Sequence, residues 1–529
     1  MSLHDDLAAL VRGEVLSDDA TLTAYSTDAS LYRVRPAVVV RPRDAADISA
    51  LVKYAATHPG VSLTPRAAGT CMSGGPLTQS VVVDVMAHMN RVLEVGEGYA
   101  ITEPGVLFKD FDAATRARGY ELPSYTASRY ICAVGGMVGN NAGGEKHLKY
   151  GKTDAYVEEV EAVMADGSVR TYGRGTKDEF TLELSTLLTE HRDLIAAHRP
   201  EVRKNSSGYA LWDLDPASPN IARLMTGAQG TLGILTKIKF RLVQPKAFSA
   251  MAVIFIRDLH ALGALVPSIL AYQPDSFESY DDHTFTLATR YFFEFAQQMK
   301  ANLFSIGISF LPEVMMALLG GVPKLVLLAE FRADTQEAAV AQAEKLAADL
   351  RAHVPHISVR VARSERAARK YWVIRRESFN LLRKKIRGKR TAPFIDDFVV
   401  PPAVLSEFLP RLEKILGEYR FLYTIAGHVG DGNFHIIPLI DPKDPTMRTV
   451  IETLSRRVYD LVLEYRGSIT GEHNDGYVRT PFVEQMFGHE MYELFGRVKR
   501  IFDPQGIFNP GKKYGLTFAE AARYLDISS

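Results

Sequence analysis

Two short polar segments in the second half of the chain could bind a metal ion. His428 and His435 are seven residues apart, an offset that would send them to opposite faces of a straight strand. The turn sequence Gly-Asp-Gly at 430–432 could fold the chain back and aim both imidazoles at one point. Glu472 and His473 follow about 35 residues later. Two imidazoles and one carboxylate favour Zn²⁺, Mn²⁺ or Fe²⁺ and leave positions for a substrate, whereas a lone histidine is more often structural.

Three glycine-rich segments in the first half could hold a phosphate-bearing cofactor. They span 65–75, 134–144 and 227–233. Backbone N–H groups can converge on an anion where glycine lacks a Cβ, the hydroxyls of Thr70 and Ser73 add donors, and a flat ring could lie against the second segment. None of the three has the spacing of a Rossmann or P-loop motif. Any one of them could be only a tight loop, but together they predict a pyrophosphate cradle.

These glycine-rich segments, together with 502–512, resemble those of FAD-linked oxidases, a family that includes D-lactate dehydrogenases, D-2-hydroxyglutarate dehydrogenases and the glycolate oxidase flavin subunit. The resemblance implies dissociable FAD in a two-lobed domain of the vanillyl-alcohol-oxidase type. By similarity, pyrophosphate lies on 66–75, the isoalloxazine near 135–144 and the adenine side near Ile234, while Asn509 closes over the flavin. The implied FAD contacts are Arg66, Ala67, Ala68, Gly69, Thr70, Cys71, Ser73, Gly74, Gly135, Gly136, Asn140, Asn141, Gly143, Gly144, Ile234 and Asn509.

Two positions in the first glycine-rich segment depart from that family. Ala67 and Cys71 stand where such proteins often have glycine. Cys71 could tune the flavin or lie inert against it, and we favour the inert interpretation.

The same resemblance assigns roles to the polar residues of the second half. It implies that His428, His435 and Glu472 hold a divalent ion, that Asn433 contacts the substrate and that His473 is the general base. In such a mechanism the ion lowers the pKa of the substrate hydroxyl, the imidazole accepts its proton, and a hydride passes to flavin N5. The resemblance therefore predicts oxidation of a D-2-hydroxy acid to a 2-oxo acid.

The substrate carboxylate needs a cation. Trp372-Val-Ile-Arg375 resembles the Trp-x-x-Arg segment of the family, which implies that Arg375 grips the carboxylate, while Arg376 could be a solvated helix arginine. Family members that use a dicarboxylate carry a lysine where this chain has Ile395, which favours a monocarboxylate such as D-lactate. Residues 363–390 include 12 Lys or Arg and two acids, so another cation could take the place of that lysine.

The basic run at 363–390 has other interpretations. It could be an exposed basic helix pair, or it could dock an acidic electron acceptor or an anionic membrane surface. The acceptor could be a quinone, an iron–sulfur protein or an electron-transfer flavoprotein. Two rival functions are an oxidase that uses O₂ on another alcohol, and a flavin subunit that passes electrons within a complex with an iron–sulfur partner.

Alternating apolar patterns define the elements that must position these residues. They predict helices over 44–56 and 334–354, a hairpin turn at 166–167, and strands at 37–40, 81–85, 157–164, 234–240, 325–331, 421–426 and 434–440. The glycine-rich character stops near 245. We therefore predict an α+β protein with a two-lobed FAD-binding domain at 1–245. A substrate domain at 246–529 would have an antiparallel sheet, and its C-terminal segment would return to the flavin.

Composition excludes several classes of protein. Lys plus Arg and Asp plus Glu number 62 each, which argues against a nucleic-acid binder. Two cysteines cannot form a disulfide framework or an iron–sulfur cluster. The N-terminus resembles no secretory signal, and the longest apolar region, 304–331, is interrupted by charges and prolines. We expect a cytoplasmic homodimer without a transmembrane segment, with a peripheral membrane contact as the alternative.

Overall fold

The computed structural model describes residues 2–282, 284, 322–385, 388–419 and 421–527. Its strands are β1 Glu14–Leu16, β2 Val38–Arg41, β3 Leu63–Arg66, β4 Val81–Asp84, β5 Val92–Gly96, β6 Tyr99–Thr102, β7 Val157–Val163, β8 Val169–Tyr172, β9 Ile234–Arg241, β10 Phe248–Ile256, β11 Ser276–Asp281, β12 Leu325–Ala333, β13 Ser358–Ala362, β14 Arg390–Thr391, β15 Phe398–Val399, β16 Ile425–His428, β17 Asn433–Ile436 and β18 Leu439–Ile440.

The α-helices of the described residues alternate with these strands. They are α1 Leu3–Leu10, α2 Asp19–Tyr25, α3 Ala45–Thr57, α4 Phe108–Arg116, α5 Val134–Asn140, α6 His147–Tyr150, α7 Glu179–Glu190, α8 Arg192–Ala197, α9 Ile221–Met225, α10 Leu262–Leu270, α11 Gln336–His353, α12 Glu365–Lys385, α13 Leu405–Gly417, α14 Met447–Glu464, α15 Gly476–Arg479, α16 Val483–Phe502 and α17 Phe518–Ala522.

The first half contains two sheets. In one, β2, β4 and β3 run parallel and β1 pairs antiparallel with β2. The other is antiparallel, in the order β5-β6-β9-β7-β8. The predicted hairpin at 166–167 joins β7 to β8, where Gly167 N donates to Met164 O at 2.8 Å. The predicted helix at 44–56 is α3, which Asp44 caps and which buries its apolar stripe against the parallel sheet.

The second half is built on a seven-stranded antiparallel sheet, in the order β13-β10-β12-β11-β16-β17-β15. Both faces are covered, because alternate residues of β10 pack on different helices. Ala252 and Ile254 belong to the same apolar cluster as Leu346 of α11, whereas Val253 packs in a cluster with Tyr371 of α12. This explains why β10 and β12 are nearly continuous apolar runs.

The predicted elements of this half differ from the observed ones in detail. The apolar stretch at 325–331 is strand β12 as predicted, but 304–321 lies outside the described residues. The strand predicted at 421–426 begins only at Ile425, and the one predicted at 434–440 is divided into β17 and β18. Pro438 stands at that division, where a residue without an N–H cannot continue a strand ladder.

The C-terminal part of the chain packs against the first half. Phe508 forms a parallel bridge with Leu63 of β3, and Leu63 N donates to Ile507 O at 2.7 Å. Helix α16 contributes Phe487, Phe495 and other side chains to the apolar core that covers β7 and β9. The described elements therefore form an α+β fold with antiparallel sheets, as predicted. Within the described ranges, every helix is too short or too polar to cross a bilayer.

Candidate active site

A cavity with about 900 Å³ of empty space, part of it open solvent, lies between the loop after β3, helix α5 and the segment before β9. All three glycine-rich segments contribute to its wall. The predicted FAD contacts on this wall are Arg66, Ala67, Ala68, Gly69, Thr70, Cys71, Gly135, Gly136 and Asn140. Burial raises the pKa of the Cys71 thiol, which supports the inert interpretation of that residue because a neutral thiol is a poor nucleophile.

Helix α5 presents bare backbone to this cavity. A Cβ added at Gly139 would meet no atom within 4 Å, and one added at Gly136 would meet only the Ala67 side chain, at 3.6 Å. Gly135 is required for a different reason, since its Cβ would lie 2.6 Å from Pro104. Bare backbone along this wall suits a ligand with a flat ring, and the isoalloxazine of FAD is such a ring.

The remaining predicted FAD contacts lie behind or beside the wall: Ser73, Gly74, Asn141, Gly143, Gly144, Ile234 and Asn509. Ile234 is fully buried in the core of β9, and its neighbours Gly233 and Leu235 line the cavity in its place. This follows from strand geometry, because successive side chains point to opposite faces. A contact of these residues with FAD stays a prediction.

Asn509 joins two loops of the cavity wall. Its Nδ2 donates to Gly75 O at 3.0 Å and to Gln229 O at 2.7 Å, and its Oδ1 accepts from Thr64 at 3.1 Å. The side chain is fully buried. Asn509 therefore braces the cavity wall, and the role implied by the family resemblance, that it closes over the flavin, stays a prediction.

The two histidine motifs converge on Glu472. The chain folds back after β16, and Gly432 at the turn has a φ of 69°, with its Cα so close to Val400 O that a Cβ would clash. His428 Nε2 lies 3.1 Å and His435 Nε2 lies 3.3 Å from the same atom, Glu472 Oε1. Two imidazole nitrogens and a carboxylate oxygen at these separations are a suitable donor set for Zn²⁺, Mn²⁺ or Fe²⁺.

Each imidazole is anchored through its Nδ1 atom. His428 Nδ1 lies 2.6 Å from Glu278 Oε1, His435 Nδ1 donates to the Asp396 carbonyl at 2.8 Å, and His473 Nδ1 lies 2.8 Å from Asp396 Oδ2. The Nε2 atoms are thereby left for a ligand. The rings of His435 and His473 are stacked with their centroids 5.1 Å apart.

Asp397 organises the segment that carries Glu472. Among the described residues, atoms of Asp397, His435, Glu472 and His473 lie within 4.8 Å of one another and could hold an ion. Asp397 Oδ2, however, already accepts from Thr470 Oγ1, Glu472 N and His473 N, at 2.6 to 2.9 Å. The carboxylate is fully buried and positions the segment. The sequence signal was available, because two adjacent aspartates interrupt an apolar run at 394–400.

His428, His435 and His473 form what we call the histidine cluster. Lys204, which the sequence analysis did not single out, is fully buried beside it. Its Nζ donates to Glu472 Oε2 at 3.0 Å and to Asn433 Oδ1 at 3.3 Å. Burial lowers the pKa of Lys204, but the Glu472 and Asp431 carboxylates more than offset it and the pKa is raised. Asn433 is fully buried and also donates to Asp397, so its contact with a substrate stays a prediction.

The two neighbouring arginines of α12 have different partners. Arg375 forms an ion pair with Glu278, whose side chain is buried, and the Arg375 side chain itself is 9% exposed. Arg376 donates to both oxygens of Glu145, at 2.6 and 3.1 Å, and its guanidinium lies over the Trp372 ring. Arg376 is therefore a paired side chain that ties α12 to the first half of the chain.

Hydrogen bonds connect the segment at 471–476 to the cavity wall. Asn474 Nδ2 donates to Asn140 O at 3.1 Å, and Gly476 N donates to Gln229 Oε1 at 2.9 Å. Ser73 donates to the carbonyl of His473 at 3.0 Å. The segment that carries Glu472 and His473 therefore packs directly against the cavity wall.

Comparison with known families agrees with this architecture. A family model described as "FAD linked oxidases, C-terminal domain" matches residues 245–513, and a second, "FAD binding domain", matches residues 36–173. Among solved structures, 4-ethylphenol oxidase from Gulosibacter chungangensis superposes with a TM-score of 0.70 at 18% identity, covering 95% of this chain and 94% of that one. At that identity the likeness shows the fold, which is the predicted vanillyl-alcohol-oxidase type.

Two curated relatives extend over most of this chain. D-2-hydroxyglutarate dehydrogenase of Pseudomonas putida is 27% identical and covers 95% of this chain, which spans 50% of that protein. D-lactate dehydrogenase of Archaeoglobus fulgidus is 28% identical, with 97% of this chain and 99% of that protein covered. The chain therefore spans about half the length of some relatives and nearly all of others. Since one family model covers more than half of its residues, the chain belongs to the FAD-linked oxidases, a family of FAD-binding oxidoreductases.

Proposed function

We propose that the protein is an FAD-dependent dehydrogenase that oxidises a D-2-hydroxy acid to the 2-oxo acid, with D-lactate as its preferred substrate. The observation that carries the proposal is the contact between the two parts of the site. Segment 471–476, with Glu472 and His473, is hydrogen-bonded to Asn140 and Gln229 of the cavity wall. A proton acceptor and a hydride acceptor must lie close together when an alcohol carbon is oxidised.

The side chains of the histidine cluster match the requirements of this chemistry. When bound, FAD accepts a hydride and a divalent ion lowers the pKa of a coordinated hydroxyl. His428, His435 and Glu472 would hold the ion, and Lys204 keeps the second oxygen of Glu472 occupied. The hydroxyl of a 2-hydroxy acid would then lie next to the imidazole of His473.

The imidazole of His473 is the proposed proton acceptor, a role that requires its neutral form. Burial lowers the pKa of this imidazole, but the carboxylates of Asp397 and Asp396 raise it, to about 9. At pH 7 such an imidazole is protonated, and a cation held at Glu472 would lower its pKa and favour the neutral form that can accept a proton. Because Nδ1 is engaged with Asp396, proton transfer would take place at Nε2.

The preference for a monocarboxylate has two supports. Arg375 supplies a guanidinium, which can bind one carboxylate through two hydrogen bonds. Ile395, at the position where dicarboxylate enzymes of the family have a lysine, is fully buried in the apolar core. A second carboxylate would therefore find no cation at that position.

The test is anaerobic reduction of the bound flavin by a panel of acids. D-lactate should bleach the flavin faster than D-2-hydroxyglutarate or glycolate, and L-lactate is the stereochemical control. If none of the 2-hydroxy acids reduced the flavin, the proposal would be wrong. Rapid reoxidation by air would favour the rival function of an O₂-dependent oxidase.

A further inference from the structure

Glu278 belongs to no motif of the sequence, but it contacts two groups of the candidate site. It lies in the central strand β11, and its side chain is 1% exposed. One carboxylate oxygen, Oε1, is 2.6 Å from His428 Nδ1. The other, Oε2, forms the ion pair with Arg375. A single side chain therefore touches both a candidate metal ligand and the candidate carboxylate-binding arginine.

A glutamate at this position in a sheet costs free energy. Its partner across the strand pair is Leu328 of β12, and the adjoining strand is buried along most of its length. Burial of a carboxylate costs free energy unless charged or hydrogen-bonding partners compensate it. Both partners of Glu278 belong to the site, so packing alone gives no reason for a carboxylate at this position.

The contact to His428 determines which ring nitrogen is available. An imidazole that donates its Nδ1 hydrogen to a carboxylate has its lone pair on Nε2, and the carboxylate makes that nitrogen a stronger ligand. In this structure Nε2 is the atom that lies 3.1 Å from Glu472 Oε1. Glu278 thus sets both the tautomer and the direction of the ring.

The contact to Arg375 holds the guanidinium near the same point. Arg375 is 9% exposed on its side chain, and Glu278 provides the opposite charge that permits its burial. A guanidinium has five N–H donors, so it can keep Glu278 and still bind the carboxylate of a ligand.

We infer that Glu278 is a positioning residue that aligns His428 for a divalent ion and Arg375 for a substrate carboxylate at the same time. The inference rests on the proposed function, because it assumes that these two residues bind an ion and a carboxylate. It predicts that one substitution weakens two binding events that involve different ligands.

The experiment uses the FAD-loaded protein, stripped of metal, with Glu278→Gln as the test variant. Titration calorimetry with Mn²⁺ and with Zn²⁺ should show affinity about 10- to 100-fold weaker than for the wild type. Propionate, a carboxylate without the hydroxyl, should perturb the flavin absorbance of the wild type and require at least about tenfold higher concentration in the variant.

The matched control is Glu330→Gln. Glu330 is a buried glutamate of the neighbouring strand β12 that lies 3.4 Å from Arg332, and within the described part of the chain it forms no hydrogen bond or ion pair with His428, His435 or His473. Its substitution should leave both affinities unchanged. Glu278→Asp keeps the charge and should retain part of the Mn²⁺ affinity, and it serves as the test variant if Glu278→Gln does not fold.

The outcomes separate this inference from the proposed function. Wild-type binding of Mn²⁺ and propionate, with equal affinity in the folded Glu278 variants, would overturn the role of Glu278 alone. An effect of the same size in Glu330→Gln would also overturn it, because the loss would then be a general effect of a buried charge. No binding of any divalent ion by the wild type would overturn both.

Discussion

His428 Nε2 lies 3.1 Å from Glu472 Oε1, although 44 residues separate the two along the chain. Strand β16 carries the histidine, and Asp397 holds the segment that carries the glutamate through the backbone N–H groups of Glu472 and His473. The contact is therefore supported by the sheet on one side and by a buried carboxylate on the other. Such support keeps a ligand set in place before an ion binds.

Loss of one imidazole should remove the metal. His435→Ala takes away a nitrogen that lies 3.3 Å from Glu472 Oε1, and we expect Mn²⁺ and Zn²⁺ affinity to fall by at least about 100-fold while FAD is retained. Metal analysis after dialysis and the flavin absorbance of the same sample test both parts. His489→Ala, which removes an exposed histidine paired with Glu484, is the control. Full retention of metal by His435→Ala would exclude His435 as a ligand.

A side chain placed in the cavity should block FAD without unfolding the protein. Gly139 lines the cavity, and a Cβ there has open space around it, so Gly139→Leu should fold and fill the place of the cofactor. We expect purified protein with less than about a tenth of the wild-type flavin and an unchanged apoprotein melting temperature. Gly417→Leu, at another open helix position, should keep its flavin. Normal FAD content in Gly139→Leu would show that the flavin lies elsewhere.

Removal of the Asn509 amide should loosen the cavity wall. In Asn509→Ala the buried carbonyls of Gly75 and Gln229 lose their donor, which should lower the free energy of unfolding by about 2 to 4 kcal/mol and weaken FAD binding. Urea unfolding and FAD titration of the apoprotein measure these effects. Asn90→Ala is a suitable control, because Asn90 is exposed and also donates to two backbone carbonyls. Equal losses in the two variants would contradict a bracing role.

Lys512 should make stability depend on pH above neutrality. Burial lowers the pKa of Lys512 to about 7, although Asp28 and Cys71 act in the opposite direction. A lysine in the unfolded chain has a pKa near 10.4, so between about pH 7 and pH 10 the unfolded state binds a proton that the folded state has lost. The free energy of unfolding contributed by this group therefore rises with pH across that window.

Lys512→Met removes this contribution. The quantity to follow is the free energy of unfolding of the variant minus that of the wild type. We expect this difference to decrease by more than about 1.4 kcal/mol between pH 7 and pH 10, which is the equivalent of one pKa unit. Urea unfolding at several pH values measures the difference, in which other titrating groups cancel. A difference that does not change with pH would show that Lys512 keeps an ordinary pKa in the folded protein.

Local sequence predicted the elements of the first half well. The β-branched runs became β2, β4, β7 and β9, and Asp166-Gly167 formed the hairpin, because alternation and turn chemistry act over a few residues. The apolar pattern gave the wrong strand bounds where a single residue interrupted the ladder. Pro438 divides one predicted strand into β17 and β18.

The types of residue that could do the chemistry were likewise visible in the sequence, since a glycine-rich backbone and paired histidines have few other uses. Only the tertiary structure decided their partners. Glu278 and Lys204 have no signature in their own neighbourhoods, and they matter because folding brings them to His428 and Glu472. Contacts between residues far apart in the chain depend on how sheets and helices pack. The amino-acid sequence encodes that packing through the whole core rather than in a motif.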